Sequence, residues 1–214
     1  MATSEQAARD EVRSARDRYP GFFEAVRSDA KFTAAYRGER HEFRNVVDLA
    51  VQCIRLAVVS DAFFAQAVYR ARCSLARRRV PVLPHLLHHL SMITGQVCIG
   101  TPVVIQPGMY LAHGQVVIDG MVEIGSGVVI FPWVTIGLQP PEIKGPTIEP
   151  NVQVGSGAKI LGPITIGRAA RIGANSVVLD DVAPHSTVVG MPARPTPDNL
   201  QSNGPMDRGS TPPR

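Results

Sequence analysis

The chain has no apolar run near the ~18 residues that a bilayer span needs, so no membrane partner is expected. The opening MATSEQAARDEVRSARDRYP lacks the apolar stretch of a secretory leader, and a cytoplasmic protein is expected. Cysteine is scarce. Cys53, Cys73 and Cys98 are odd in number and far apart, which fits neither a disulfide framework nor a zinc site. An excess of one charge is also missing: 22 basic against 18 acidic residues leave +4, too little to argue for nucleic acid. Charged residues make up only 19%, whereas 19 glycines and 18 prolines are present. That balance suits a turn-rich β architecture better than a long helical rod.

What is present falls into three regions. Residues 1–95 read as helical. Ser60 is a candidate N-cap, and SDAFFAQAVYRARCSLARRR places Phe64, Val68, Ala71 and Leu75 on one stripe. EFRNVVDLAVQCIRLAVV is similar and more apolar, and Pro84 can start a short helix through PHLLHHLSMI. His85 and His89 share a helix face there, but no third ligand is in view, so no metal is expected. The basic run from Arg70 to Arg79 reads as a solvated helix end, where cations suit the dipole.

From residue 97 a new rhythm begins. Aliphatic residues stand at Ile99, Ile105, Leu111, Ile118, Ile124, Ile130, Ile136, Ile148, Val154, Ile160, Ile166, Ile172 and Val178. The step is six throughout, except for seven between Leu111 and Ile118 and twelve between Ile136 and Ile148. Glycine often follows, which lets the chain turn without a Cβ clash. A fixed period of six is that of a parallel β-helix: each repeat gives a short strand and a corner, three repeats make a triangular coil, and stacked coils bury one another's apolar face. The irregular twelve-residue step, through LQPPEIKGP, reads as an extruded loop. Residues 195–214, PTPDNLQSNGPMDRGSTPPR, have no periodicity and are expected to be a disordered tail.

One histidine sits inside this aliphatic tract. In LAHGQVVIDG, Leu111 points inward, so His113 belongs to the corner and faces out. The single seven-residue step follows it directly. A neutral imidazole at such an edge can take a proton from a hydroxyl; it can equally be a solvated surface side chain. Trp133, at another corner, either packs against a neighbouring subunit or lines an acceptor pocket.

The tracts VEIGSG and VQVGSGAKILGPITIGRAARIGANSVVLDDVAPHSTVVGMPAR resemble the C-terminal half of serine O-acetyltransferases, acyltransferases of hexapeptide repeats wound into a left-handed β-helix. The likeness runs from about residue 60 to 194, and AVYRARCSLARRRVPVLP is similar to the helix that precedes the family's coils. The implied fold is α+β: an N-terminal helical domain over 1–95, then a left-handed parallel β-helix acyltransferase domain over 96–194. The implied activity is transfer of an acetyl group from acetyl-CoA, a co-substrate, to the hydroxyl of serine or a related small acceptor. No permanently bound cofactor and no metal are implied. LAHG matches the stretch with the family's catalytic histidine, which falls on His113. The resemblance further implies a homotrimer or a dimer of trimers, with the site between subunits.

The chain departs from the family at the acceptor end. The carboxylate that contacts serine is replaced by Ala112, and the one that orients the imidazole by Cys98, with Asp119 and Glu123 the acids that could substitute. The family's loop arginine becomes Lys144, a candidate for an acceptor carboxylate, and its loop histidine becomes Gly145. For CoA the match implies Gly137, Ser156, Ala158 and Ala174 along the pantetheine arm, and Lys159, Arg171 and Arg194 near the phosphates. Two alternatives stay open: an acyltransferase for a sugar or natural-product intermediate, and a catalytically decayed scaffold. The family's complex with the sulfhydrylase uses a terminal isoleucine; this sequence ends STPPR, and that complex is not expected.

Overall fold

The computed structural model describes residues 2–197; the STPPR ending and most of the expected tail lie outside them. Five helices come first: α1 (Ala2–Asp17), α2 (Phe22–Tyr36), α3 (Val46–Val59), α4 (Asp61–Arg77) and α5 (Leu83–Gly95). No helix among the described residues is long and apolar enough to cross a membrane. Ser60 caps α4, its hydroxyl accepting from Phe63 N–H. Pro84 stands in the first turn of α5.

Then the chain winds. The first coil is β1 (Val97–Ile99), β2 (Val104–Ile105) and β3 (Tyr110–Leu111). The second is β4 (Val116–Asp119), β5 (Met121–Ile124) and β6 (Val129–Ile130). The third is β7 (Thr135–Gly137), β8 (Lys144–Ile148) and β9 (Gln153–Val154). The fourth is β10 (Lys159–Leu161), β11 (Thr165–Ile166) and β12 (Arg171–Ile172), and the last holds β13 (Val177–Val178) and β14 (Thr187–Val189). These stack into three parallel sheets, β1-β4-β7-β10-β13, β2-β5-β8-β11 and β3-β6-β9-β12-β14, the faces of a triangular prism. The residues of the six-step rhythm lie in register: Ile99, Ile118, Ile136, Ile160 and Val178 form one ladder. Leu111, Ile130, Val154, Ile172 and Val188 form another, and all ten are buried. β-Branched chains suit these short pleats, and burial of whole ladders offsets the entropy of ordering so many turns. The twelve-residue step is the loop between β7 and β8, which leaves the prism and returns at Lys144.

Three expectations need correction: the start of the tail, the buried face of α4 and the setting of Arg70 and Arg72. The tail does not begin at 195. β15 (Arg194–Pro195) pairs antiparallel with β14, and Thr196 N–H donates to Thr187 C=O, because the last coil has a free edge to cover. On α4 only Val68 of the expected stripe is fully buried, while Phe64, Ala71 and Leu75 are half-buried. The buried face carries Ala62, Phe63, Ala65, Gln66, Val68, Tyr69, Arg70, Arg72 and Cys73.

The reason is the open end of the first coil, whose carbonyls have no preceding coil to bond. α4 supplies the donors. Gln66 Nε2 donates to Met109 C=O, Tyr69 O–H to Val103 C=O, Arg70 to Ile105 and Gln106 C=O, and Arg72 to Ile99 and Gly100 C=O. Ser91 of α5 adds a bond to Val97 C=O. Arg70 and Arg72 are therefore not a solvated helix end; they are 2% and 6% exposed. Arg70 pairs with Asp29 of α2, whose Oδ1 also accepts from Gly108 and Met109 N–H. The helices thus cap the prism and fix its first coil, the one that presents His113.

Candidate active site

His113 occupies the corner between β3 and β4, where the seven-residue step inserts its extra residue. It is exposed, and among the described residues no group hydrogen-bonds its ring. The corner is held tightly from below. A Cβ on Gly114 would overlap the Gly95 carbonyl oxygen and stand 2.9 Å from the carbonyl carbon. Only glycine lets the end of α5 press against this turn, so His113 is carried on a rigid seat. Above it, in the next coil, lie Phe131 and Trp133, 39% and 63% exposed. Trp133 holds a φ of +67°. A bulky residue adopts that region only where its neighbours impose it. Here its N–H donates to Gln115 C=O and its C=O accepts from Lys159 Nζ at 2.7 Å.

The two expected companions of His113 are elsewhere. Asp119 ends β4, three residues beyond Val116, or about 10 Å along the strand. It folds over Gly100 on the neighbouring corner. Cys98 sits opposite Val117 in mid-face. Burial first, then the Asp119 carboxylate, push its thiol up; the Arg72 guanidinium opposes them. A neutral thiol is a poor partner for an imidazole. Both residues belong to the surroundings of Arg72, because β4 points away from the His113 corner.

The carboxylate that does approach the corner is Asp61. Its Oδ2 lies 3.6 Å from the point where a Cβ on Gly114 would stand. Nothing in the sequence pattern marks Asp61, an acid in the first turn of α4, where it also suits the helix dipole. Only the packing of α4, α5 and the coil brings it beside a glycine 53 positions later in the sequence.

The remaining candidates divide. Ser156 and Ala174 stand on the same corner column as His113, two and three coils on; Ser156 C=O accepts from Asn175 N–H. Ala112 flanks His113, half-buried. Gly137 ends β7 at the other corner of the first face, its C=O used by Gly162 N–H. Ala158 is fully buried in the prism, its N–H bonded to Gly155 C=O and its C=O to Thr135 N–H, so no group of it is free to meet a ligand. Lys159 lies on the first face and Arg171 on the third. Arg194 pairs with Asp180 at 3.1 Å, both largely exposed. Lys144 begins β8 on the second face, lining a small recess with Arg18 and Glu123, which pair with each other. One chain therefore does not bring Lys144 to His113. Among the described residues no group of three metal-binding side chains forms.

The bacterial transferase hexapeptide family (six repeats) matches residues 145–180. The serine acetyltransferase of Vibrio cholerae, whose crystal structure is 30% identical, superposes with a TM-score of 0.69 over 87% of this chain and 70% of that one. The chain belongs to the serine acetyltransferase family. A crystal structure of the Brucella abortus serine acetyltransferase in complex with coenzyme A gives 26% identity and a TM-score of 0.69, covering 87% and 72% of the two chains. The serine acetyltransferase of Synechococcus elongatus is 41% identical over 135 residues, 62% of this chain and 55% of that relative. Alignments with the curated family members thus span about half to two thirds of their length. The order of helical cap and β-helix is one that this chain shares with these solved structures over 87% of its length.

Proposed function

We propose that this protein transfers an acetyl group from acetyl-CoA to the hydroxyl of serine or a closely related small acceptor, with His113 as general base. The observation that carries the reading is the inserted corner, which holds an unpaired imidazole out of the prism on a seat made rigid by Gly114 and Gly95. The neutral ring accepts the hydroxyl proton as the acceptor oxygen attacks the thioester carbon. The C–S bond then breaks, and the departing thiolate recovers the proton from the imidazolium. Base assistance contributes roughly 10²–10⁴-fold, and holding the two substrates together supplies much of the rest. Phe131 and Trp133 offer an apolar roof that keeps water from the thioester. Ser156, Ala174 and Gly137 are assigned to the CoA arm, and Lys159, Arg171 and Arg194 to its phosphates.

Asp61, which lies beside Gly114 and makes no hydrogen bond to the ring in the free chain, is assigned as the carboxylate that positions His113 through this turn, in place of those replaced by Ala112 and Cys98. A site that uses both His113 and Lys144 needs the corner of one chain against the second face of another, which supports a closed homotrimer. The apolar outer face of α3, with Val46, Ile54 and Val58 at 80%, 66% and 81% exposed, is a surface through which two trimers can join. A non-serine acceptor, such as a hydroxylated sugar or natural-product intermediate, is the second reading, favoured by the loss of acidic side chains at Ala112 and Cys98.

The test is thiol release from acetyl-CoA with L-serine and a panel of amino sugars. His113→Ala is expected to lose at least about 10²-fold in kcat; full turnover in that variant rejects the base. Asp61→Asn is expected to lower kcat roughly tenfold, ~1.4 kcal/mol, with the KM for acetyl-CoA unchanged and Asp61→Glu recovering part. Failure of every acceptor, together with no calorimetric binding of acetyl-CoA, identifies a decayed scaffold.

A further inference from the structure

A second site lies under the first coil, away from the His113 corner. α1, α4, α5 and the Gly100–Thr101 turn enclose a cavity of about 400 Å³, within the range of small-molecule sites. Its walls carry Arg16, Arg72, Arg79, His85 and His88, and no Asp or Glu lines it. Arg70 and Arg72 both reach from α4 to the carbonyls of the coil's open end, and both are more than nine-tenths buried. Arg70 is neutralised by Asp29. Arg72 has only neutral partners: Ile99 and Gly100 C=O, and His88 Nδ1 at 2.8 Å. Among the described residues it forms no ion pair. A guanidinium removed from water without a counter-charge is costly. Arg16, on the facing wall, has a buried Nε with no acceptor. Asp119 is folded over Gly100 and lies outside the lining.

An unmatched buried cation, an orphaned buried donor, a third guanidinium and two imidazoles around one small cavity describe a receptor for negative charge. Guanidinium forks bind the paired oxygens of phosphate, sulfate or carboxylate groups in a bidentate manner. We propose that this cavity binds a small organic anion bearing an oxyanion group with two or more negative charges, at a site separate from the acetyl-transfer centre. The shared chemistry is that of a phosphate ester or a di- or tricarboxylate; the volume leaves room for an organic body beside the charged head.

The experiment is calorimetric titration of the full chain with sulfate, pyrophosphate and citrate at constant ionic strength set by chloride, with thermal melts alongside. At least one of the three is expected to bind saturably and to raise the melting temperature, as a ligand specific to the folded state must. Selectivity for pyrophosphate points to phosphorylated ligands, and for citrate to polycarboxylates. Arg16→Gln combined with Arg79→Gln touches no carbonyl of the coil and is expected to weaken binding at least tenfold while thiol-release activity without added anion stays at the wild-type level. Saturating CoA is expected to leave the anion affinity unchanged. Absence of saturable binding for all three anions overturns the proposal, as does equal binding by the double variant. Loss of binding under CoA overturns it too, because the cavity would then be the nucleotide-phosphate pocket. None of these results bears on whether His113 is the base.

Discussion

Removing Arg70 tests whether α4 is the cap of the prism. Its guanidinium, 2% exposed, makes Nε–Oδ2 and Nη2–Oδ1 contacts to Asp29 at 2.8 and 3.2 Å and donates to Ile105 and Gln106 C=O at 2.5 and 2.9 Å. In Arg70→Met the apolar stem survives, but Asp29, 1% exposed, keeps a buried charge with only the Gly108 and Met109 N–H groups for support. Two carbonyls of the first coil also lose their donors. Breaking one side of a buried pair costs about 3–5 kcal/mol. The orphaned carbonyls overlap with that figure rather than adding to it, so a loss of about 4 kcal/mol is expected. For a chain of this size it corresponds to a melting temperature lower by about 8–16 °C. Urea denaturation should show the same loss as a shifted midpoint. Asp29→Asn in the Arg70→Met background should recover part of it, since the stranded charge is gone, and the double-mutant cycle should be non-additive. A loss below about 1 kcal/mol, or strict additivity, would refute the view that this pair closes the coil.

Two further outcomes follow from the same packing. Gly114→Ala forces its methyl into the Gly95 carbonyl, so the end of α5 must shift; a loss of about 1–3 kcal/mol is expected in thermal melts, together with a fall in thiol release larger than that of Gly38→Ala, where a Cβ meets nothing within 4 Å and only the φ of +69° is unfavourable. The second concerns pH. Burial, then the Arg72 guanidinium and the neighbouring His89 and His85, hold the His88 imidazole below its ordinary range, with Asp119 opposing them. The unfolded chain therefore takes up this proton near pH 6.5 while the native chain does not, so stability should fall as pH drops below about 6.5, by no more than about 1.4 kcal/mol per unit. Asp48 and Glu39, held down by hydrogen bonds from Arg40 and from Arg55 and Arg37, titrate at lower pH. Urea midpoints between pH 5 and 7 should flatten in His88→Gln; an unchanged slope excludes His88 as the source.

Much of the prism was legible in the residues themselves. A step of six sets which side chain points inward, and a parallel stack requires that same position to align in every coil, so local spacing and long-range register are one constraint. Hence Ile99 and Ile160, 61 positions apart, belong to one ladder that could be written down without coordinates. The exceptions in that rhythm were informative for the same reason: the seven-residue step marks the His113 corner, and the twelve-residue step marks the loop before Lys144. The helical cap obeys no such rule. Its buried face carries Gln66, Arg70 and Arg72, which an apolar-stripe reading sends to solvent, because what they satisfy is a row of carbonyls created only when the first coil forms. The polar residues do recur at helical spacing, and that was the available signal.

Sequence alone determined the β-helix, its inward ladders and the outward corner that bears His113, because a repeat writes its own contacts. Tertiary structure alone decided what stands near that histidine. It moved Asp119 and Cys98 to the surroundings of Arg72, brought Asp61 to Gly114, gave Asp29 to Arg70 and left Arg72 without an ion pair among the described residues. These pairings join helix to coil across aperiodic distances in the chain, and only the docking of α4 and α5 against the open end of the prism fixes them.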